Sequence, residues 1–62
     1  MTYQALYVCK GDVCYGSPAY NTIAECKKVI PKHKEAHKDC NILKVYIVSR
    51  DGRQVSMREY TE

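Results

Sequence analysis

The stretch ILKVYIVSRDGRQVSMREY, residues 42–60, decides the fold, because two apolar, β-branched runs flank the turn sequence Arg50-Asp-Gly52. This pattern predicts a β-hairpin. A three-residue loop with Gly52 in the left-handed conformation would pair Ile47 with Val55 and Val45 with Met57. That register gathers one apolar face: Leu43, Val45, Ile47, Val55 and Met57. It leaves a second, more polar face: Lys44, Tyr46, Val48, Gln54, Ser56 and Arg58. A two-residue Asp51-Gly52 loop would mix both kinds of side chain on both faces, so we expect the three-residue loop.

A second predicted hairpin lies at the start of the chain. The segments 3–10 and 13–17 are rich in aromatic and β-branched residues, and they flank Gly11-Asp12. Two turn residues with Gly first suit a tight hairpin. This register places Cys9 directly opposite Cys14. Pro18 then ends the strand pairing, because it has no N–H to donate.

A helix is predicted between the two hairpins. Thr22-Ile-Ala-Glu25 has the form of a capping box, and Ile23, Cys26 and Ile30 recur on one side of the helix that follows. Pro31 removes a helical hydrogen bond and disfavours helical angles in the residue before it. We therefore expect a kink or a break near Pro31. The element order is β-β-α-β-β, an α+β fold in which one helix packs on one face of a small antiparallel sheet.

Length and composition restrict the function. Sixty-two residues form a single domain, 1–62, with a small core, and 45% hydrophobic content is typical of a globular protein. No apolar run approaches the roughly 20 residues of a membrane span. The first residues show neither a charged leader nor a cleavage pattern. We expect a cytoplasmic protein that does not bind membranes.

The four cysteines, Cys9, Cys14, Cys26 and Cys40, allow three interpretations. They are small buried thiols, or they form the disulfides Cys9–Cys14 and Cys26–Cys40, or some of them bind zinc. Residues 7–37 resemble a Cys2His2 zinc finger, with Cys9 and Cys14 on a hairpin and His33 and His37 one helical turn apart. Eighteen residues separate Cys14 from His33, however, where the finger has about 12. Another zinc set would be His33, His37 and Cys40 with a fourth ligand.

The positive charge is local. Residues 27–38 contain five lysines and one glutamate, a net charge of +4, whereas the whole chain carries +3. On a continuous helix Lys27, Lys34 and Lys38 would share a stripe that could meet phosphates or an acidic protein surface. A solvated face that only keeps the protein soluble is the alternative. Tyr46 would lie on the polar sheet face beside Arg58. The predicted partner-binding residues are therefore Lys27, Lys28, Lys34, Lys38, Tyr46 and Arg58.

No catalytic motif is present in the sequence, and a chain this short leaves little protein to enclose a reaction, so we expect neither an enzyme nor a cofactor. The leading hypothesis is an interaction protein that blocks the surface of a protein partner. In size, element order and the Thr22-Ile-Ala-Glu-Cys26 helix start, the chain resembles short phage-encoded accessory proteins, including anti-CRISPR inhibitors of host defence. That resemblance implies blockade of a complex in the host cell without a cofactor. The alternatives are a small nucleic-acid-binding protein that uses the lysines, a zinc-stabilised domain and a homodimer.

Overall fold

A computed structural model describes residues 1–61 and has the predicted element order. Strands β1 (Thr2–Cys9) and β2 (Val13–Gly16) precede helix α1 (Ile23–Ala36). A 3₁₀ turn (Lys38–Cys40) leads into strands β3 (Ile42–Asp51) and β4 (Gln54–Glu59). All neighbouring strands are antiparallel, in the order β2-β1-β3-β4. The fold is thus α+β, with one helix and one four-stranded sheet.

The core lies between α1 and one side of the sheet, which we call the helix side. Alternate residues of β1 and β3 point to it, as the two-residue period of a strand requires. Cys26 and Ile30 of the helix pack on these side chains. The buried apolar residues are Ala5, Tyr7, Cys9, Cys26, Ile30, Val45 and Ile47. Tyr3 and Tyr20 pack at its margin, so the tyrosines complete this small core.

Helix α1 begins as the sequence predicts and continues through Pro31. Thr22 has an extended backbone, and its Oγ1 accepts a hydrogen bond of 3.2 Å from the Glu25 N–H. The helix runs without a break to Ala36, so of the two alternatives predicted at Pro31, a kink or a break, the break is wrong. Pro31 and Lys27 are both exposed. Water can therefore solvate the Lys27 carbonyl that loses its helical donor.

The first hairpin has a different register from the predicted one. Cys9 pairs with Val13, and Cys14 pairs with Val8, so the connection has three residues and Cys9 does not face Cys14. Gly11 and Asp12 both have positive φ, of 87° and 61°. The observed register sets Tyr15 opposite Tyr7 on the helix side, whereas the predicted one would turn Tyr15 outward. Burial of a tyrosine ring therefore decides the register.

The second hairpin also departs from both registers considered for it. Its loop is Gly52-Arg53, which pairs Ile47 with Arg58 and Val48 with Met57. Gly52 has a φ of 60°, as the first position of a two-residue loop often requires. The predicted burial of Val55 and Met57 beside Ile47 is wrong. Helix α1 packs chiefly on β1 and leaves all six residues of β4 exposed, so the helix side offers no core at β4.

Candidate functional site

The side of the sheet away from the helix carries an uncovered apolar surface. The strand register puts Leu6 opposite Tyr46, Val48 opposite Met57, and Val8 opposite Lys44, all with their side chains on this side. Val55 lies two residues before Met57 on β4, so its side chain is on the same side of the sheet. We define the outer face by its six apolar residues: Leu6, Val8, Tyr46, Val48, Val55 and Met57.

The exposure of these side chains is high for their type. Val55 and Met57 are 62% and 56% exposed. The other four are half-buried, and no helix covers this side of the sheet. Four strands spaced by about 4.8 Å, each contributing about six residues of 3.3 Å, make the whole outer side of the sheet about 20 Å by 20 Å, and the six apolar residues occupy part of it. An apolar patch of several hundred Å² is typical of an interaction site.

The rim of the outer face is mostly basic. Lys44 and Arg50 flank Tyr46 and Val48 along β3, with Lys44 opposite Val8 and Arg50 opposite Val55. Glu59, opposite Tyr46, is the acidic residue on the same side. Both cations are exposed, and their long aliphatic stems can extend the apolar area while the charges stay in water.

The structure separates the predicted partner-binding residues. Tyr46 lies on the outer face between Lys44 and Val48, as predicted, with Leu6 and Glu59 opposite it on the two neighbouring strands. Arg58 does not lie beside it, because the observed register turns Arg58 and Ser56 to the helix side. There Arg58 lines an open groove of about 480 Å³ between α1 and β4, together with Lys27 and Tyr60.

Of the predicted stripe, Lys27 and Lys34 lie seven residues apart on one side of the continuous helix, whereas Lys38 does not belong to the helix. Lys28 and Lys32 are four residues apart on the exposed side of α1, so they share a face. Lys27 borders the groove with Arg58, and Lys34 is half-buried beside Ile42. The helix ends at Ala36, so Lys38 lies beyond it in the 3₁₀ turn.

The two histidines contact tyrosines. Tyr7 Oη and His33 Nδ1 are joined by a hydrogen bond of 2.7 Å. The Tyr7 ring stacks on Tyr15 at a centroid distance of 5.0 Å, and the His37 ring lies 5.1 Å from Tyr15. Burial raises the pKa of the Tyr7 hydroxyl, with smaller contributions from nearby Cys26, Tyr15 and Tyr20. This layer closes the open end of the core beneath α1.

Of the three interpretations of the cysteines, the structure has the free thiols, and neither candidate disulfide is present among residues 1–61. All four are free thiols within residues 1–61. Cys9 is buried on the helix side. Cys14 is opposite Val8, so it lies on the other side of the sheet, where it is exposed. Cys26 is in the core, whereas Cys40 is exposed in the 3₁₀ turn. Burial raises the pKa of both Cys9 and Cys26, and Cys40 and Cys14 raise that of Cys9 further.

Neither zinc interpretation is realised by these positions. In the part of the chain that the structure describes, no three His, Cys, Asp or Glu side chains come close enough to hold a metal ion. Cys9, Cys14, His33 and His37 therefore do not form the ligand set of a zinc finger. His33 instead uses Nδ1 for Tyr7.

Sequence reasoning missed most of the outer face. It assigned Val55 and Met57 to the core and did not divide β1 between two faces. The signal was present in β1, where Ala5, Tyr7 and Cys9 alternate with apolar Leu6 and Val8. A strand that is apolar on both sides needs a cover on both sides.

No protein family model matches this chain, and neither the curated proteins nor the solved structures contain a match to it. Among residues 1–61, no helix has the length and apolar character needed to cross a membrane.

Proposed function

We propose that this protein is a non-catalytic interaction module that docks its outer face on a partner protein. One observation carries the proposal: a four-stranded sheet is covered by a helix on one side, while the other side exposes Val55 and Met57 beside Tyr46 and Val48. Exposed apolar surface of this extent is costly in water, and contact with another apolar surface removes that cost.

The rim defines the chemistry of the partner. Lys44 and Arg50 border the outer face, so the complementary surface is an apolar patch flanked by carboxylates. Tyr46 supplies a large apolar ring with a hydroxyl, a combination that is enriched in interface cores. The whole outer side of the sheet measures about 400 Å² as a flat surface, so the interface belongs to the smaller class, below about 1,200 Å² in total.

We extend the proposal to inhibition by blockade, in which the bound module covers a surface that the partner needs. The support for this step is the resemblance in size and element order to short phage-encoded inhibitors of host defence. On that reading the partner is a component of a host defence complex.

The test is position-specific photocrosslinking in a nuclease-treated bacterial lysate. A benzophenone amino acid replaces Val55 on the outer face or, as a matched control, Leu43, which is 64% exposed but lies outside the outer face. We expect one defined protein to be crosslinked from position 55 and not from position 43. Tyr46→Ser in the same chain should abolish the crosslink, and the purified partner should bind the wild type but not Tyr46→Ser. Equal crosslinking from both positions would overturn the proposal.

The lysines support a second candidate, binding to nucleic acid backbones. The observation that favours it is the uninterrupted helix, which carries Lys28 and Lys32 together on its exposed side. Such binding depends on counterion release and should weaken steeply between about 50 and 200 mM salt. Replacement of Lys28 and Lys32 by Glu should abolish it, whereas Tyr46→Ser should leave it unchanged.

A further inference from the structure

Strand β4 has a free edge, and the two edges of the sheet differ. The edge strand β2 has only four residues. The chain after it continues alongside β1, where the Ser17 N–H donates a hydrogen bond of 2.8 Å to the Ala5 carbonyl. Tyr3 and Tyr20 exchange two further backbone hydrogen bonds, of 2.8 and 2.7 Å. Pro18 lies two residues after the end of β2. Short strands and prolines are the devices that protect an edge from further pairing.

The β4 edge has none of these devices along its length. Its six residues pair with β3 in a continuous register, and all of them are exposed. Its sequence, QVSMRE, contains no proline or glycine, and its charges are confined to Arg58 and Glu59 at the end. β4 is therefore the open edge of the sheet.

The alternation of hydrogen-bonded pairs between β3 and β4 shows which backbone groups of β4 point away from β3. Tyr60 N–H donates to the Val45 carbonyl at 2.7 Å, which continues the β3–β4 register beyond Glu59. Hydrogen-bonded and non-hydrogen-bonded pairs alternate in an antiparallel ladder. Gln54, Ser56 and Arg58 therefore bond to β3, whereas the N–H and C=O groups of three residues point away from it: Val55, Met57 and Glu59.

We propose that the β4 edge pairs with the β4 edge of a second copy of this chain. An antiparallel, two-fold symmetric pairing centred on Met57 uses all three outward residues, with Val55 opposite Glu59 of the other copy. Three hydrogen-bonded pairs give about six intermolecular backbone hydrogen bonds. Arg58 then faces Ser56, so no like charges stand opposite one another. Self-pairing centred on Ser56 or Arg58 engages only two of the three outward positions, so the Met57-centred register is favoured.

The pairing has a structural consequence for the outer face. The two four-stranded sheets become one sheet of eight strands, and Val55 and Met57 of both copies meet at its centre on the outer side. The apolar surfaces of the two copies become continuous. A second copy thus matches the β4 edge in hydrogen bonding and in charge, and it brings the outer faces of the two copies onto the same side of one sheet.

The decisive variant is Met57→Pro, because the Met57 N–H does not bond to β3 and its loss leaves the β3–β4 ladder intact. Met57→Thr is the matched control, since it removes the apolar side chain but keeps the N–H. Sedimentation of the wild type and of Met57→Thr should show the mass rising with concentration from 7.1 kDa towards twice that value. Met57→Pro should stay at 7.1 kDa with an unchanged circular dichroism spectrum.

Hydrogen exchange of the wild type provides a test that needs no variant. The amides of Val55, Met57 and Glu59 should gain protection as concentration rises, whereas those of Ser56 and Arg58 should be protected at every concentration. A wild type that stays monomeric, or a dimer that persists in Met57→Pro, would overturn the edge pairing. Protection that does not alternate along β4 would also overturn it. Failure here leaves the outer-face proposal standing, since crosslinking from position 55 to a different protein does not require a dimer.

Discussion

Replacement of Ile30 by alanine should cost at least a third of the stability of this domain. With free thiols and no metal cluster among residues 1–61, the core beneath α1 carries the fold, and Ile30 is one of two helix residues buried in it. Ile30 is 0% exposed. The substitution deletes three carbons, worth about 2.4 kcal/mol at about 0.8 kcal/mol each. The cavity left behind adds to this, so we expect a loss of about 3 kcal/mol in the free energy of unfolding.

Ile23→Ala is the matched control, because it makes the same chemical change on the same helix. Ile23 is 43% exposed, so roughly half of the transfer cost applies. Alanine has a higher helix propensity than isoleucine, which offsets a few tenths of a kcal/mol of the loss in the free energy of unfolding. We expect a loss of about 1 kcal/mol or less at this position.

The assay is denaturant unfolding followed by circular dichroism, with the slope m compared among the wild type and both variants. A 62-residue domain has about 3–9 kcal/mol of stability at 0.05–0.15 kcal/mol per residue, so a loss of about 3 kcal/mol should move the unfolding midpoint of Ile30→Ala to a much lower denaturant concentration than that of the wild type. Equal losses at the two positions, or a difference below about 1 kcal/mol, would refute the helix-side core as the main source of stability.

Two further predictions concern the buried thiols and tyrosine. A thiol reagent should modify exposed Cys14 and Cys40 rapidly and buried Cys9 and Cys26 only on unfolding; equal rates at all four would contradict the burial seen here. Burial raises the pKa of Cys26 and Tyr7 above their usual values of 9.0 and 10.0, so the folded state keeps their protons while the unfolded state loses them. Stability should therefore be level up to about pH 8 and fall above about pH 9, as measured by denaturant midpoints, and Tyr7→Phe should show a shallower fall.

Local features of the fold were predictable because their causes are local. The Thr22 hydroxyl caps the helix through the Glu25 amide, and Gly52 marks the second turn, as their neighbours in the chain suggest. The element order follows from such signals. The path through Pro31 was not predictable in this way, since it depends on whether the Lys27 carbonyl meets water or protein.

The candidate site was predicted only in part, because it depends on register. Tyr46 was placed correctly, since its face follows from the alternation within β3 alone. Arg58 and Met57 were placed on the wrong sides, because the face of β4 depends on how β4 pairs with β3. A shift of one residue exchanges every side chain of a strand between the two faces.

The chain by itself determined the α+β class, the position of the helix start and the approximate positions of the two turns, because capping residues and turn-forming glycines act over a few positions of the chain. Only the tertiary structure decided which apolar residues are core and which form the outer face. The physical reason is that one helix covers β1 but does not reach β4. Apolar side chains beyond its reach gain nothing on the helix side, and the registers that pack Tyr15 against the core and expose Val55 and Met57 result from that limit.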